Sequence, residues 1–304
     1  MQRIIFPWET KRWLEISRKV TEPMASIVDM DTKTASLYRG RKPRHMIDLF
    51  ATYHNDSQFE AGRITKDHFV NDLLPMMQKL IADGPKTFRD FTPGLMAPDI
   101  GGSIILTRRQ VATIVACMWF GLFDYRFVSP GTLSVNDFPD PTLAPMFERQ
   151  NVFALQCVLG YLNRVHQGGD EFDKGIIVIK RSVASVAGCD WAASDKPLTE
   201  IFVGDGPTVD DTTAKLQLVG SYEYIGGLNM FKGALTTSEI TLLIRPECLA
   251  TMLFCAKMGN CDTITVFGAE KMSKYAGYGT SVRYVADHRE PVTRGGGKTR
   301  TLAQ

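Results

Sequence analysis

The chain has 304 residues, and its 35 Lys and Arg against 33 Asp and Glu leave a net charge of +2, so bulk charge draws it neither to nucleic acid nor to an anionic membrane surface. With 44% hydrophobic residues it can bury a sizeable core in one large domain or two smaller ones, which excludes a disordered chain. The 6 cysteines (Cys117, Cys157, Cys189, Cys248, Cys255, Cys261) lie mostly in apolar runs without a CxxC pair or histidines at metal-ligand spacing. They are expected to be reduced core thiols of an intracellular protein, cytoplasmic or nuclear, and no metal or cofactor is implied.

The first residues contain no apolar run of signal-peptide length, so a secretory leader is not expected; Arg3, Lys11, Arg12, Arg18 and Lys19 leave an organellar transit segment open. Turn signals at Pro7, Pro23, Gly40, Pro43, Gly84 and Pro93-Gly94 separate helical patterns over residues 9–20, 46–53 and 66–82. In the last of these, Phe69, Leu73, Leu74, Met77 and Leu80 recur at helical spacing. Thr107 is placed to cap a helix whose first turn is Arg108, Arg109 and Gln110 and whose body, 111–123, is apolar on nearly every side. That body is shorter than the roughly 20 residues a membrane span needs, so it belongs inside a bundle and no membrane partner is expected. A further helix over 145–166 presents Phe147, Val152, Leu155, Leu159 and Leu162, while His166 and Asp170 beyond it read as a surface turn.

After Gly168-Gly169 the spacing changes to short β-rich runs at 176–180, 200–203, 215–220, 240–244, 263–267 and 282–285. Pro246 is positioned to open a helix through Cys248, Leu249, Met252, Leu253 and Ala256 that ends near Gly259-Asn260. Strand, helix and strand in that order imply a sheet with helices across it. The tail from 291 to 304, with Gly295-Gly296-Gly297 and the basic Arg294, Lys298 and Arg300, has nothing to bury and is expected to be mobile; its charges are the one contact nucleic acid would find.

Several blocks follow one another in order: Leu106-Thr107-Arg108-Arg109-Gln110-Val111-Ala112, Gly160-Tyr161-Leu162-Asn163-Arg164-Val165, Lys196-Pro197-Leu198-Thr199, and Leu216-Gln217-Leu218 leading to Tyr224-Ile225-Gly226-Gly227. Ile244-Arg245-Pro246-Glu247 and Gly268-Ala269-Glu270-Lys271-Met272-Ser273-Lys274-Tyr275-Ala276-Gly277-Tyr278 complete the series. Over 101–290 the chain resembles the poly(ADP-ribose) glycohydrolase family. The resemblance implies an α/β fold: an N-terminal helical accessory region (1–168), then a partial macrodomain-like mixed sheet with flanking helices (169–290), then a flexible basic tail (291–304).

It also implies a site. In the family a glycine run lets backbone N–H groups approach a diphosphate, and the last glutamate of a Gln-Glu-Glu triplet acts as general acid and base on the bond between riboses. Here the run reads Gly226-Gly227-Leu228 and the triplet Thr237-Ser238-Glu239, while Val219 and Tyr222 stand where the family has an Asp and an Asn. By resemblance the catalytic candidate is Glu239 and the ligand-binding candidates are Gly226, Gly227 and Tyr278. The family's further strands after the Tyr278 region have no counterpart in the tail, so a protein partner or second copy is expected to cover the sheet. Three functions stay open: a catalytically degenerate scaffold or binding module for ADP-ribose or poly(ADP-ribose), an active divergent glycohydrolase releasing ADP-ribose through Glu239, and a structural subunit of a larger assembly.

Overall fold

A computed structural model describes residues 2–37, 46–123, 128–149, 151–184, 193–195, 197, 216–226, 234–289 and 299–303. The first part is built from α1 (Trp13–Thr21), α2 (Ile27–Leu37), α3 (Met46–Asn55), α4 (Lys66–His68), α5 (Leu74–Ala82) and α6 (Gly84–Thr87). The helical pattern expected over 66–82 forms, with a π-helical turn at Phe69–Leu73 between α4 and α5. Pro75 explains that turn: it lacks an N–H and crowds the carbonyl one turn back, and the wider coil ahead of it relieves both defects.

Thr107 ends strand β1 (Gly102–Thr107) and caps α7 (Arg108–Trp119). Its hydroxyl accepts from the Gln110 N–H at 3.2 Å while the Gln110 side-chain oxygen accepts from the Thr107 N–H at 2.9 Å, closing a reciprocal box. Every side chain of 111–119 is buried, which makes α7 the central helix, as its all-round apolar surface requires. The helix expected over 145–166 is in fact two, α8 (Ala144–Glu148) and α9 (Val152–Asp173), because Asn151 starts a new one by accepting from the Ala154 N–H at 3.0 Å. His166 and Asp170 therefore sit on α9 and not in a turn, and the backbone departs from helical geometry only at Gly169, with φ 47° and ψ −138°.

The strands that follow are β2 (Ile176–Val183), β3 (Leu218–Gly220), β4 (Asp262–Phe267), β5 (Ser273–Ala276), β6 (Arg283–Asp287) and β7 (Thr299–Ala303), with α10 (Thr237–Ile244) and α11 (Thr251–Phe254) between β3 and β4. The main sheet is mixed, in the order β1-β2-β4-β7-β3, antiparallel except for the parallel β3–β7 pair, and β5 and β6 form a separate antiparallel hairpin. Alternation sends Ile104, Leu106, Ile177, Ile179, Ile264 and Val266 into the core. Arg181 and Asp262 point inward too, and they are paired. Arg181 donates to Asp262 Oδ2 through Nε at 3.1 Å and to the Met96, Ala256 and Lys257 carbonyls at 2.8, 2.9 and 2.7 Å. Burial works against the Asp262 charge, but Arg181 and the Gly259 N–H hold its carboxyl below the usual carboxylate range.

Three further expectations change. Residues 240–244, read as a strand from their β-branched content, belong to helix α10, because the cap at Thr236 starts a helix that the buried environment sustains. Of the run at 215–220 only Leu218–Gly220 is strand, and the run at 200–203 lies outside the described residues. Within the expected mobile tail, Thr299–Ala303 pairs with β4 on one side and β3 on the other; a ladder needs backbone donors and acceptors and not apolar mass, which is what the glycine-rich text hid. Cys117, Cys157, Cys248 and Cys255 are buried free thiols and Cys261 is half-buried, with Cys189 outside the described residues. Burial pushes the Cys157, Cys248 and Cys255 thiols up to about 12, so they stay protonated and unreactive. No helix among the described residues is long and apolar enough to cross a membrane.

Candidate functional site

Strand β3 leads into the glycine run. Val219 is buried in the core, so it cannot replace a ligand-facing carboxylate, and Tyr222 points outward. Gly226 adopts φ +87°, a conformation that a side chain at this position would resist. Gly227, and Leu228 after it, lie outside the described residues, so the cradle expected at Gly226-Gly227 is visible only at its first member.

Glu239 stands in the first turn of α10 and is 1% exposed. Its carboxylate accepts from the Thr236 N–H at 2.8 Å and from the Thr236 hydroxyl at 3.0 Å, while Thr236 Oγ1 lies 3.1 Å from Ser238 Oγ. Thr236 and Glu239 thus form a capping box: the hydroxyl satisfies the helix N–H and the carboxylate satisfies the N–H of the cap. The carboxylate also sits at the positive end of the helix, where negative charge is favoured. The spacing Ser/Thr-x-x-Glu is readable in the sequence as a helix start, and it was hidden there by the β-branched run that follows.

Tyr278 occupies a tight turn between β5 and β6 and is 61% exposed. Gly277 has φ +80°, and a Cβ there would lie 2.2 Å from the Ser281 carbonyl oxygen, so the turn requires glycine. Ser281 holds the turn shut, its Oγ accepting from the Tyr278 N–H at 3.2 Å and donating to the Tyr278 carbonyl at 2.8 Å. The Leu235 N–H donates to the Gly279 carbonyl at 3.2 Å, which ties this turn to the segment that enters α10. Glu239 and Tyr278, far apart in sequence, therefore lie on adjoining segments, and α10 also packs on β3, the strand that precedes Gly226.

A second polar cluster lies around Glu247, and no sequence pattern announced it. Arg108, from the first turn of α7, pairs with Glu247 (Nε to Oε1, 3.0 Å) and with Glu270 (Nη2 to Oε1, 2.6 Å). The only signal was the presence of Arg108, Glu247 and Glu270 in separate matching blocks, which gives no hint that they meet. His68 makes a third cluster: Nδ1 is 2.7 Å from Asp72 Oδ2, Nε2 is 2.8 Å from Asn163 Oδ1, and the His166 ring lies 5.7 Å away. The Asn163 hydrogen bond, joined by Asp72, raises the His68 pKa. Among the described residues no three His, Cys, Asp or Glu side chains are grouped so as to hold a metal ion.

Comparison with known proteins bears on the family and the fold of both parts of the chain. Residues 62–181 match the helical domain of poly(ADP-ribose) glycohydrolase, and residues 188–302 match the same family's catalytic part of macro domain fold. The chain is 27% identical over 206 residues to a probable poly(ADP-ribose) glycohydrolase 2 of Arabidopsis thaliana, covering 64% of this chain and 39% of that protein. It is 26% identical over 191 residues to poly(ADP-ribose) glycohydrolase 1 of the same plant, covering 62% and 34%. An 89-residue stretch, 29% of this chain and 11% of the relative, is 32% identical to poly(ADP-ribose) glycohydrolase 1 of Caenorhabditis elegans. The matched part thus spans about two fifths or less of these relatives' own length.

Proposed function

The chain belongs to the poly(ADP-ribose) glycohydrolase family, and from that premise we propose that it is a catalytically degenerate member acting as a scaffold or a binding module for ADP-ribose or its polymer. The observation that carries this reading is the use of Glu239: its carboxylate is buried and closes the helix cap on Thr236. A glutamate at that position has a local reason to be there whether or not it ever meets a glycosidic bond. Around it the partners of the expected chemistry are replaced, with Ser238 and Thr237 in the triplet and a core-facing Val219 upstream. Loss of one such polar contact near a reacting group costs about 2–4 kcal/mol of barrier, so several together would leave negligible turnover.

The test is incubation of the purified chain with labelled poly(ADP-ribose), alongside calorimetry with ADP-ribose. The expected result is no release of ADP-ribose above a protein-free blank. Release that disappears in Glu239→Gln would replace this reading with the active one, which draws its own support from the Leu235–Gly279 bridge between the segments that carry Glu239 and Tyr278. Absence of both release and binding would leave the role of a structural subunit. That role is supported by the outer face of the sheet, where Ile105 is 61% exposed beside Val178 and Phe267 in register and Leu218 on the far strand is 69% exposed. A monomer by light scattering at all concentrations would count against it.

A further inference from the structure

One glycine clears a slot for Arg108, and a second lets the chain after β4 run close to β2. A Cβ on Gly175 would lie 2.4 Å from Arg108 Cδ, and Gly268, at φ +84°, runs so close to β2 that its Cβ would lie 2.2 Å from the Ile176 carbonyl. Through this slot the guanidinium passes over the Phe172 ring at 5.2 Å, donates to the Gly268 carbonyl at 3.0 Å and reaches both Glu247 and Glu270. Glu247 is completely buried and also accepts from the Glu270 N–H at 3.0 Å.

The remaining groups around Glu247 come from α9 and from its own turn. Helix α9 contributes Arg164 and Tyr161, whose buried hydroxyl has no hydrogen-bond partner among the described residues. The turn itself carries Arg245 and Cys248. Two carboxylates thus share the Arg108 guanidinium. Burial pushes the Glu247 carboxyl up to about 7, with Arg108 pulling the other way.

These same residues root the β5–β6 hairpin. Glu270 is fixed to Glu247 by its N–H; two residues on, the Met272 N–H donates to the Ile244 carbonyl at 2.8 Å. At the far end of the hairpin the His288 N–H donates to the Met272 carbonyl at 2.9 Å, and Arg164 donates to the His288 carbonyl. Both legs of the element that carries Tyr278 therefore begin at the Glu247 cluster.

We propose that Glu247 is a proton-linked positioning residue, keeping the root of the β5–β6 hairpin closed when protonated and letting it open more readily as it ionises. When the root opens, Glu247 becomes hydrated and returns to an ordinary carboxylate pKa, so the closed form binds the proton more tightly than the open one. Raising the pH through neutrality then favours opening. The link to ligand rests on the ADP-ribose reading of Tyr278, but the device does not.

The experiment is amide hydrogen exchange across residues 273–287 of the whole chain, corrected for the intrinsic pH effect on exchange. Protection in the unaltered protein is expected to fall about tenfold or more between pH 5.5 and 8, and in Glu247→Gln, which mimics the protonated side chain, to stay level. Equal pH profiles in the two proteins would overturn the proposal. A carboxyl-carbon NMR titration of Glu247 in the unaltered chain decides independently if the variant does not fold: a midpoint near 7 supports the proposal, and one in the ordinary carboxylate range ends it. Failure of the ADP-ribose reading would show separately, as no calorimetric binding at any pH.

Discussion

Glu239 illustrates how a residue can satisfy a family pattern and a local need at once. The carboxylate of the Thr236–Glu239 box accepts from the backbone N–H at the cap, which the helix cannot satisfy internally, and from the Thr236 hydroxyl. Thr236→Ala removes the cap and is expected to lower stability by about 0.5–2 kcal/mol, read as the shift in urea unfolding. Glu239→Gln keeps an acceptor at the same position, so it should cost less than Thr236→Ala, which makes it a clean probe of hydrolysis. His68 gives a pH signature. Its folded pKa lies above the unfolded value, so its contribution is full below about pH 6.5 and is lost as the pH rises through the folded value. A His68→Gln variant should therefore narrow its stability gap from the unaltered protein as pH rises from 5.5 to 8; a constant gap would show that the ring's charge plays no part.

At the scale of elements, the close approach of backbone to backbone matters more than propensity. Gly268 joins the end of β4 to the loop that holds Glu270, and its positive φ combines with the near contact on Ile176. Gly268→Ala is expected to destabilise by more than about 2 kcal/mol, whereas Gly220→Ala, which meets nothing within 4 Å among the described residues, should change stability by less than about 1 kcal/mol; paired thermal melts check the contrast. The helices around α7 were readable from their spacing. Their joints were not: Asn151 starts a second helix through one added hydrogen bond, and Pro75 widens a turn by lacking an N–H, neither of which an apolar-spacing pattern registers.

Across the whole molecule, the Arg181–Asp262 pair joins the inner face of the sheet to the segments at Met96 and 256–257. Arg181→Met leaves a buried carboxylate without its cation and is expected to cost about 3–5 kcal/mol in urea unfolding, while adding Asp262→Leu should recover much of the loss. If the double variant is no better than the single one, the carbonyls that Arg181 reaches, and not its charge partner, account for its value.

The order of the matching blocks and the helical spacing around α7 were enough to place the chain in its family and class, because apolar periodicity and motif order are properties of the text itself. The meeting of Arg108 with Glu247 and Glu270, of Tyr278's turn with the entry to α10, and the strand made by Thr299–Ala303 arise from contacts between residues distant in the chain. Such contacts depend on which surfaces tertiary packing brings within hydrogen-bonding distance, and no local pattern carries that information. Glu239 lies between the two cases: its cap was spelled in the sequence, but only burial among packed neighbours made those β-branched residues a helix.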